Sequence, residues 1–291
     1  MKMESTVEVS AGPASGTTAG MPPSDLQQVR TVFRYDILKH FRSRRLLGML
    51  AIEAVIVVLI TALLAGQPST PFNQTIGGYA GWATTLVIIG ATFFAGDAIV
   101  SEFQGRTGFL LFPNPVKRSS LFLGKFLSAA AVMVLVLVIY YGVAMAVSAA
   151  ISTNLDHIEL AFYSLGLALL YAVAAVSVGL LISSFMKGST GALILTFFLL
   201  FMILPIVDGM FVLVREPAPV ASLTFAAMAV QYITTYPYPP LISEMPVQGL
   251  EDLTLFTHVP DPGVAVVVMA AWAVAALALA FLFFKRREMA A

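Results

Sequence analysis

Five long charge-free stretches of the sequence are candidates for membrane-spanning helices, and this feature limits the possible folds more than any other. An α-helix needs about 20 apolar residues to cross the hydrocarbon core of a bilayer, and each stretch is at least that long. The pattern therefore predicts an all-α integral membrane protein. The charge-free stretches are 54–96, 126–155, 160–186, 188–207 and 263–284.

The first stretch is long enough for two helices and is interrupted by GQPSTPFNQTIGG, Gly66 to Gly78. A helix in contact with lipid would not tolerate this run, so we interpret it as a connection between two spans. At a rise of 1.5 Å per residue, the third predicted helix is about 48 Å long, whereas the hydrocarbon core is about 30 Å thick. This helix should therefore tilt or project into water near Lys125. The six predicted helices are 46–66, 79–100, 119–150, 158–184, 188–207 and 263–284.

Composition agrees with this class: 59% of residues are hydrophobic, 11% are charged, and the mean hydropathy is +0.90. The net charge is zero, which gives no sign of a nucleic-acid partner. No cysteine is present, which excludes thiolate metal sites and cysteine catalysis. Residues 1–24 are rich in small polar residues and lack an apolar core, so they are predicted to form a disordered cytosolic tail.

The basic residues predict the orientation. Of the 16 Lys and Arg residues, all except Arg215 fall on one side of the predicted spans. Because basic residues collect on the cytosolic side, we expect both termini in the cytosol and membrane lipid around the spans.

Residues 25–45, before the six-helix domain at 46–287, predict a helix lying in the cytosolic membrane interface. Leu26, Val29, Phe33 and Ile37 recur at helical spacing between basic residues. The alternative is that the segment is only a basic flank to the first span.

The segment 208–262 is expected on the outer side. Its first half is apolar but shorter than a span, which favours short helices that enter the bundle from outside and return, shielded by protein. A small outer cap on the bundle is the alternative. Asp261 and Pro262 are predicted to begin the last helix as N-cap and first-turn residue.

Two acidic residues fall inside or at the edge of predicted spans. Glu53 either hydrogen-bonds a neighbouring helix or lines a transport path, while Asp97 is interpreted as a boundary residue. No metal-site or catalytic motif is present, and the chain has no G-x-x-x-x-G-K-[ST] loop for ATP. No cofactor is therefore expected on this chain.

The segment from Ser101 to Lys125 is the most charged part of the chain's middle. Glu102 and Arg106 can pair at i, i+4, and the second helix is expected to continue through Phe109 or Leu111. Pro113 and Pro115 then end it. The segment forms either a docking corner for a cytosolic partner or a helical hairpin on the lipid surface.

The corner contains a series of features in a fixed order, and Asp97 precedes them. The series is an acidic residue, a Gly/Thr turn, an apolar pair, a Pro with a basic residue, and Gly-Lys. Together with the six spans and the interfacial helix, this pattern resembles the permease subunits of type-2 ABC exporters. The resemblance covers about residues 25–287. The outer segment is longer than this resemblance leads us to expect. The matching corner residues are Glu102, Gly105, Thr107, Leu110, Leu111, Pro115, Arg118, Gly124 and Lys125.

The resemblance implies a permease subunit in a prokaryotic cell membrane, paired with a second permease, either identical or related. ATP and Mg would bind a separate cytosolic ABC ATPase, which would dock on the corner at 101–118. The corner residues expected to receive its motion are Glu102, Phe103, Gln104, Gly105, Arg106, Thr107, Pro113, Pro115 and Arg118.

Two other functions remain open. A secondary carrier or channel would work without an ATPase, although the sequence shows no inverted repeat. A membrane scaffold would need fewer spans than six. The charge-poor spans favour an amphipathic or lipid-like cargo over a small ion.

Overall fold

The computed structural model describes residues 24–65, 70–104, 117–213, 217–246 and 254–287. Within these ranges, six helices are long and apolar enough to cross a membrane, which confirms the predicted class. Nearly all of the predicted tail 1–24 and the middle of the corner, 105–116, lie outside the described residues.

The interfacial segment is helical, as expected. Helix α1 (Asp25–Phe41) is capped by Ser24, whose side chain accepts the backbone N–H of Gln27, while the Gln27 side chain accepts the backbone N–H of Ser24. This reciprocal cap satisfies two of the free donors at the helix start. The chain turns after Phe41 and the first span begins at Arg44, so Arg44 and Arg45 belong to that span rather than to α1.

Most of the predicted spans are reproduced to within a few residues. The spanning helices are α2 (Arg44–Ala65), α3 (Phe72–Ala95), α5 (Arg118–Ile151), α6 (Glu159–Phe185), α7 (Ser189–Phe198) with its continuation, and α11 (Pro262–Arg286). Helix α7 continues through a π-helical turn (Leu199–Ile203), α8 (Leu204–Met210) and a 3₁₀ turn (Phe211–Leu213).

The connection predicted at Gly66–Gly78 is shorter than expected, because α3 already begins at Phe72. The prediction assumed contact with lipid, but Asn73 is buried and its side-chain amide donates to the carbonyl oxygen of Thr234 at 3.2 Å. Gly77 allows this contact: a Cβ there would lie 2.7 Å from the Thr234 hydroxyl. The polar start of the helix is therefore covered by protein.

The second span does not continue without a break into the corner. The chain turns at 96–99 and resumes as the short helix α4 (Val100–Gln104). The backbone N–H groups of Ile99 and Val100 both donate to the hydroxyl of Ser183 at 3.0 Å. Ser183 thus supplies the acceptor that a continuous helix would have provided.

Close packing of α3 on α6 holds the centre of the bundle together. A Cβ at Gly179 of α6 would lie 3.0 Å from the Cβ of Ala95 and 3.2 Å from the carbonyl oxygen of Ala91. Small residues let membrane helices approach this closely. The largest side chains of the buried core include the rings of Tyr79, Tyr140, Tyr141 and Tyr171.

The outer segment 208–262 contains both of the arrangements considered. Helices α9 (Leu223–Ala227) and α10 (Ala229–Tyr232) are largely buried among α3, α6 and α11. An antiparallel hairpin follows, formed by β1 (Ile242–Pro246) and β2 (Thr254–His258), and these strands were not predicted. Asp261 caps α11 by accepting the N–H of Val264, which confirms the predicted start.

Candidate coupling site at the basic end

One end of the bundle, which we call the basic end, collects Asp25, Lys117, Arg118 and Arg287 through mutual contacts. The hairpin lies at the opposite end. Of the predicted corner residues, Glu102, Phe103, Gln104 and Arg118 are described. The predicted residues Gly105, Arg106, Thr107, Pro113 and Pro115 lie outside the described residues, as does the expected pairing of Glu102 with Arg106.

Helix α5 is in close contact with α1 at Gly124. A Cβ at this position would lie 2.6 Å from Cγ1 of Val32 and 3.2 Å from the backbone nitrogen of Phe33. Glycine is therefore required for the two helices to reach this separation. The contact brings the next residue, Lys125, directly beside the polar face of α1.

Lys125 connects three elements through a buried ion triad. Its Nζ lies 3.1 Å from Oδ2 of Asp36 on α1 and 2.9 Å from Oε1 of Glu102 on α4. The side chains of Lys125, Asp36 and Glu102 are 5%, 8% and 15% exposed. Removing the lysine from such a buried set would leave two carboxylates without their cation, at a cost of about 3–5 kcal/mol, so the triad fixes α4 relative to α1 and α5.

A second ion pair joins the first two spans. The guanidinium of Arg45 on α2 binds both carboxylate oxygens of Asp97, each at 2.8 Å, and also donates to the carbonyl oxygen of Phe93 at 3.0 Å. Two parallel hydrogen bonds fix direction as well as distance. Asp97 lies just after α3, at the predicted boundary, and it holds the turn into α4 against α2.

His40 lies between the two charge groups, with its ring edge-on to Phe94 at 5.4 Å. Burial lowers the pKa of His40 from 6.5 to about 4; nearby Asp36 opposes this effect, whereas Lys39, Lys125 and Arg45 add to it. The imidazole is therefore neutral near pH 7. It adds no charge to the surrounding cavity of about 240 Å³.

Both sides of the undescribed stretch 105–116 are anchored. On one side, the amide oxygen of Gln104 accepts the backbone N–H of Ser189, at the start of α7, at 2.9 Å. On the other, the backbone N–H of Lys117 donates to Oε1 of Gln28 on α1 at 2.9 Å. Arg118 donates to the carbonyl oxygens of Lys285 and Arg287, at the end of α11.

Phe103 contacts the last helix of the chain. Its ring meets that of Phe284 edge-on at 6.3 Å, and the guanidinium carbon of Arg287 lies 4.2 Å from the ring centre. Arg287 in turn donates to the carbonyl oxygens of Ser183 and Ser184 at the end of α6. Helix α4 is thus attached to α6 and α11 as well as to α5.

Glu53 lies apart from this network, on α2. Its side chain is buried, and Oε1 accepts no hydrogen bond from the part of the chain that the structure describes. The predicted hydrogen bond to a neighbouring helix is therefore not found at this oxygen.

Sequence reasoning did not identify Asp36, Gln28 and Ser183 as members of the site. Asp36 and Gln28 occupy the polar side of α1, and both are buried, whereas the prediction concentrated on the apolar stripe. A buried polar face opposite an apolar one was the available signal.

The geometry defines a multi-pass helical membrane protein with a charged network where α1, α4, α5 and α11 meet. A family model described as ABC-2 family transporter protein matches residues 30–289. The chain therefore belongs to the ABC-2 transporter family, as a multi-pass membrane member of it.

Two curated relatives carry the name probable ABC transporter permease protein NosY. The protein of Stutzerimonas stutzeri is 33% identical over 139 residues, which are 46% of this chain and 49% of that protein. The protein of Pseudomonas aeruginosa is 35% identical over 118 residues, 39% of this chain and 43% of that protein. The chain thus spans about half the length of the curated relatives it matches.

Proposed function

We propose that the chain is the permease subunit of an ATP-driven exporter in a prokaryotic cell membrane. The basic end, with both termini, faces the cytosol. A separate ABC ATPase binds ATP and Mg and docks on the corner at 101–118. A second permease, identical or related, completes the substrate path.

The observation that carries this proposal is the anchoring of both sides of 105–116. Gln104 is bound to the start of α7 and Lys117 to α1, while Glu102 is joined to α5 through Lys125. A partner that moves the corner would therefore move several helices together. A loop that only connects two spans would not need these attachments.

The motion would reach the middle of the bundle through α3 and α6. The turn after α3 is attached to α6 through Ser183, and the two helices are in close contact at Gly179. Packed helices of this kind move as rigid bodies between discrete arrangements. Closure of the ATPase would tilt both helices when it displaces the corner.

The exposed surface of the fifth span is an argument for pairing with a second permease copy. In Ser189–Leu213, only 17% of the most apolar window is buried inside the chain. It exposes large apolar side chains along its length, including Phe198, Phe201, Ile206 and Met210. This surface is available to a second copy as well as to lipid.

Replacing Glu102 by Ala tests the coupling role. The change removes one carboxylate of the triad and leaves Lys125 paired with Asp36. We expect the ABC ATPase to co-purify and to bind ATP as before, while its stimulation by the permease in proteoliposomes falls about tenfold, equivalent to 1.4 kcal/mol. The measurements are nucleotide binding and ATP turnover.

Glu159→Ala is the matched control, because Glu159 is a half-exposed acidic residue that pairs with His157 away from the corner. Its turnover should equal that of the wild type. Unchanged stimulation in Glu102→Ala, or ATP hydrolysis by the purified permease alone, would contradict the proposal.

A further inference from the structure

A cavity of about 550 Å³ lies in the half of the bundle next to the hairpin. It is partly open at the surface and is lined by α3, α6, the π-helical turn with α8, the helices α9 and α10, and both strands of the hairpin. Small-molecule sites commonly measure about 300–1,000 Å³. None of the coupling residues described above lines this space.

The walls of the cavity are mainly apolar and aromatic. Ile88 contributes from α3, Phe201 from the π-helical turn, Phe225 and Met228 from the outer segment, and Phe256 from β2. A π-helical turn inserted in an α-helix frequently marks a functional site. These walls suit the apolar body of an organic molecule.

Two residues that line the cavity, Tyr171 and Asp208, each have a buried oxygen atom without a hydrogen-bond partner among the described residues. The hydroxyl of Tyr171 makes no hydrogen bond, although this side chain is fully buried. Oδ1 of Asp208 is also buried and unpaired. Leaving such a group unsatisfied costs about 1–3 kcal/mol, so two in one cavity point to a partner that is absent from the chain itself.

The other carboxylate oxygen of Asp208 is already occupied. Oδ2 accepts hydrogen bonds from the hydroxyls of Ser222 at 2.9 Å and Thr224 at 2.6 Å. These bonds fix the carboxylate and leave Oδ1 for another donor. No Lys or Arg is found among the described lining residues.

We propose that this cavity binds a small amphipathic amine, whose ammonium group donates to Oδ1 of Asp208 and to the hydroxyl oxygen of Tyr171. Carboxylate and hydroxyl oxygens both accept N–H donors, and charge-assisted hydrogen bonds are about twice as strong as neutral ones. The apolar part of the ligand lies against Phe201, Phe225 and Phe256. The proposal does not depend on an ATPase, because binding is a property of this chain alone.

The test uses the full chain in nanodiscs and three probes of nearly equal shape: 4-phenylbutylamine, 4-phenylbutan-1-ol and 4-phenylbutanoate. Titration calorimetry, corrected with empty nanodiscs, measures binding. We expect the amine to bind at least tenfold more tightly than the alcohol, and the carboxylate to show no binding. Asp208→Asn, which keeps an oxygen for Ser222 and Thr224, should weaken amine binding at least tenfold and leave alcohol binding unchanged.

Tyr171→Phe removes the second acceptor and should weaken amine binding several-fold. Glu53→Gln, which replaces a buried carboxyl group outside the cavity, should leave amine binding unchanged. If Asp208→Asn fails to fold, the comparison of the three probes on the wild-type chain still tests whether the cavity prefers the amine. Equal binding of amine and carboxylate, or no amine binding, overturns the proposal.

Arg215 is an alternative partner for the Asp208 carboxylate in place of the ligand. It is only seven positions further along the chain and lies outside the described residues. Arg215→Gln separates the two possibilities. Equal amine binding in the wild type and this variant supports the ligand site. Amine binding that appears only in Arg215→Gln assigns the carboxylate to Arg215 and overturns the proposal.

Discussion

Single charged residues determine how the basic end is held together. Lys125 lies between two carboxylates and is almost fully buried, whereas Lys39 approaches the same Glu102 carboxylate at 3.4 Å and is 53% exposed. Exposed ion pairs contribute about 0–1 kcal/mol, since water and salt screen them. The two lysines therefore differ in importance although they contact the same oxygen.

Lys125→Met should destabilise the protein by about 3–5 kcal/mol, because Asp36 and Glu102 would remain buried together without the cation between them. Lys39→Met should change stability by less than about 1 kcal/mol. Thermal unfolding in detergent, followed by size-exclusion chromatography, gives the order of apparent Tm values. Similar Tm values for the two variants would show that the triad does not stabilise the basic end.

Helices α1 and α5 stabilise one another by packing along part of their length. The surplus length of α5 lies along α1, where Leu127 and Val134 share an apolar groove with Val29 and Phe33. This explains how a helix of 34 residues can be longer than the bilayer is thick. We expect α1 to cover the part of α5 that would project from the bilayer.

Gly124→Leu should separate α1 from α5, because the new side chain would collide with Val32. Trypsin should then cut α1 at Arg30 and Arg34 faster than in the wild type, since cleavage requires local unfolding. Gly142→Leu is the control on the same helix, where a Cβ meets no atom within 4 Å. Equal cleavage of the two variants would mean that the close approach at Gly124 does not hold α1 in place.

Across the whole molecule, α3 and α6 run between the charged network and the cavity. From Asp97 to Ile88 along α3 the distance is about 14 Å at 1.5 Å per residue, and from Ser183 to Tyr171 along α6 it is about 18 Å. Both helices thus have one end in the charged network and line the cavity further along. Under the proposed function, motion of the corner would change the shape of the cavity.

The spans were predictable because a long, apolar, charge-free helix is well suited to the hydrocarbon core of a bilayer. The hairpin was not predictable, since its strands, Ile242–Pro246 and Thr254–His258, are short and each is a strand only through pairing with the other. Glu102 was found by its position in the corner. Lys125 was also named as a corner residue, but its ion pair with Glu102 was not predicted, because the two are 23 positions apart and meet through the packing at Gly124.

The central claim is that an ABC ATPase binds the corner at the basic end. The chain has no cysteine, so a single Asn114→Cys variant can carry a benzophenone maleimide in the corner. Met245→Cys, on the hairpin at a side chain 52% exposed, is the control. After irradiation of membranes that contain both proteins, we predict a cross-link to the ATPase from position 114 and none from position 245. A cross-link from position 245 alone, or from neither position while the ATPase co-purifies, would contradict the claim.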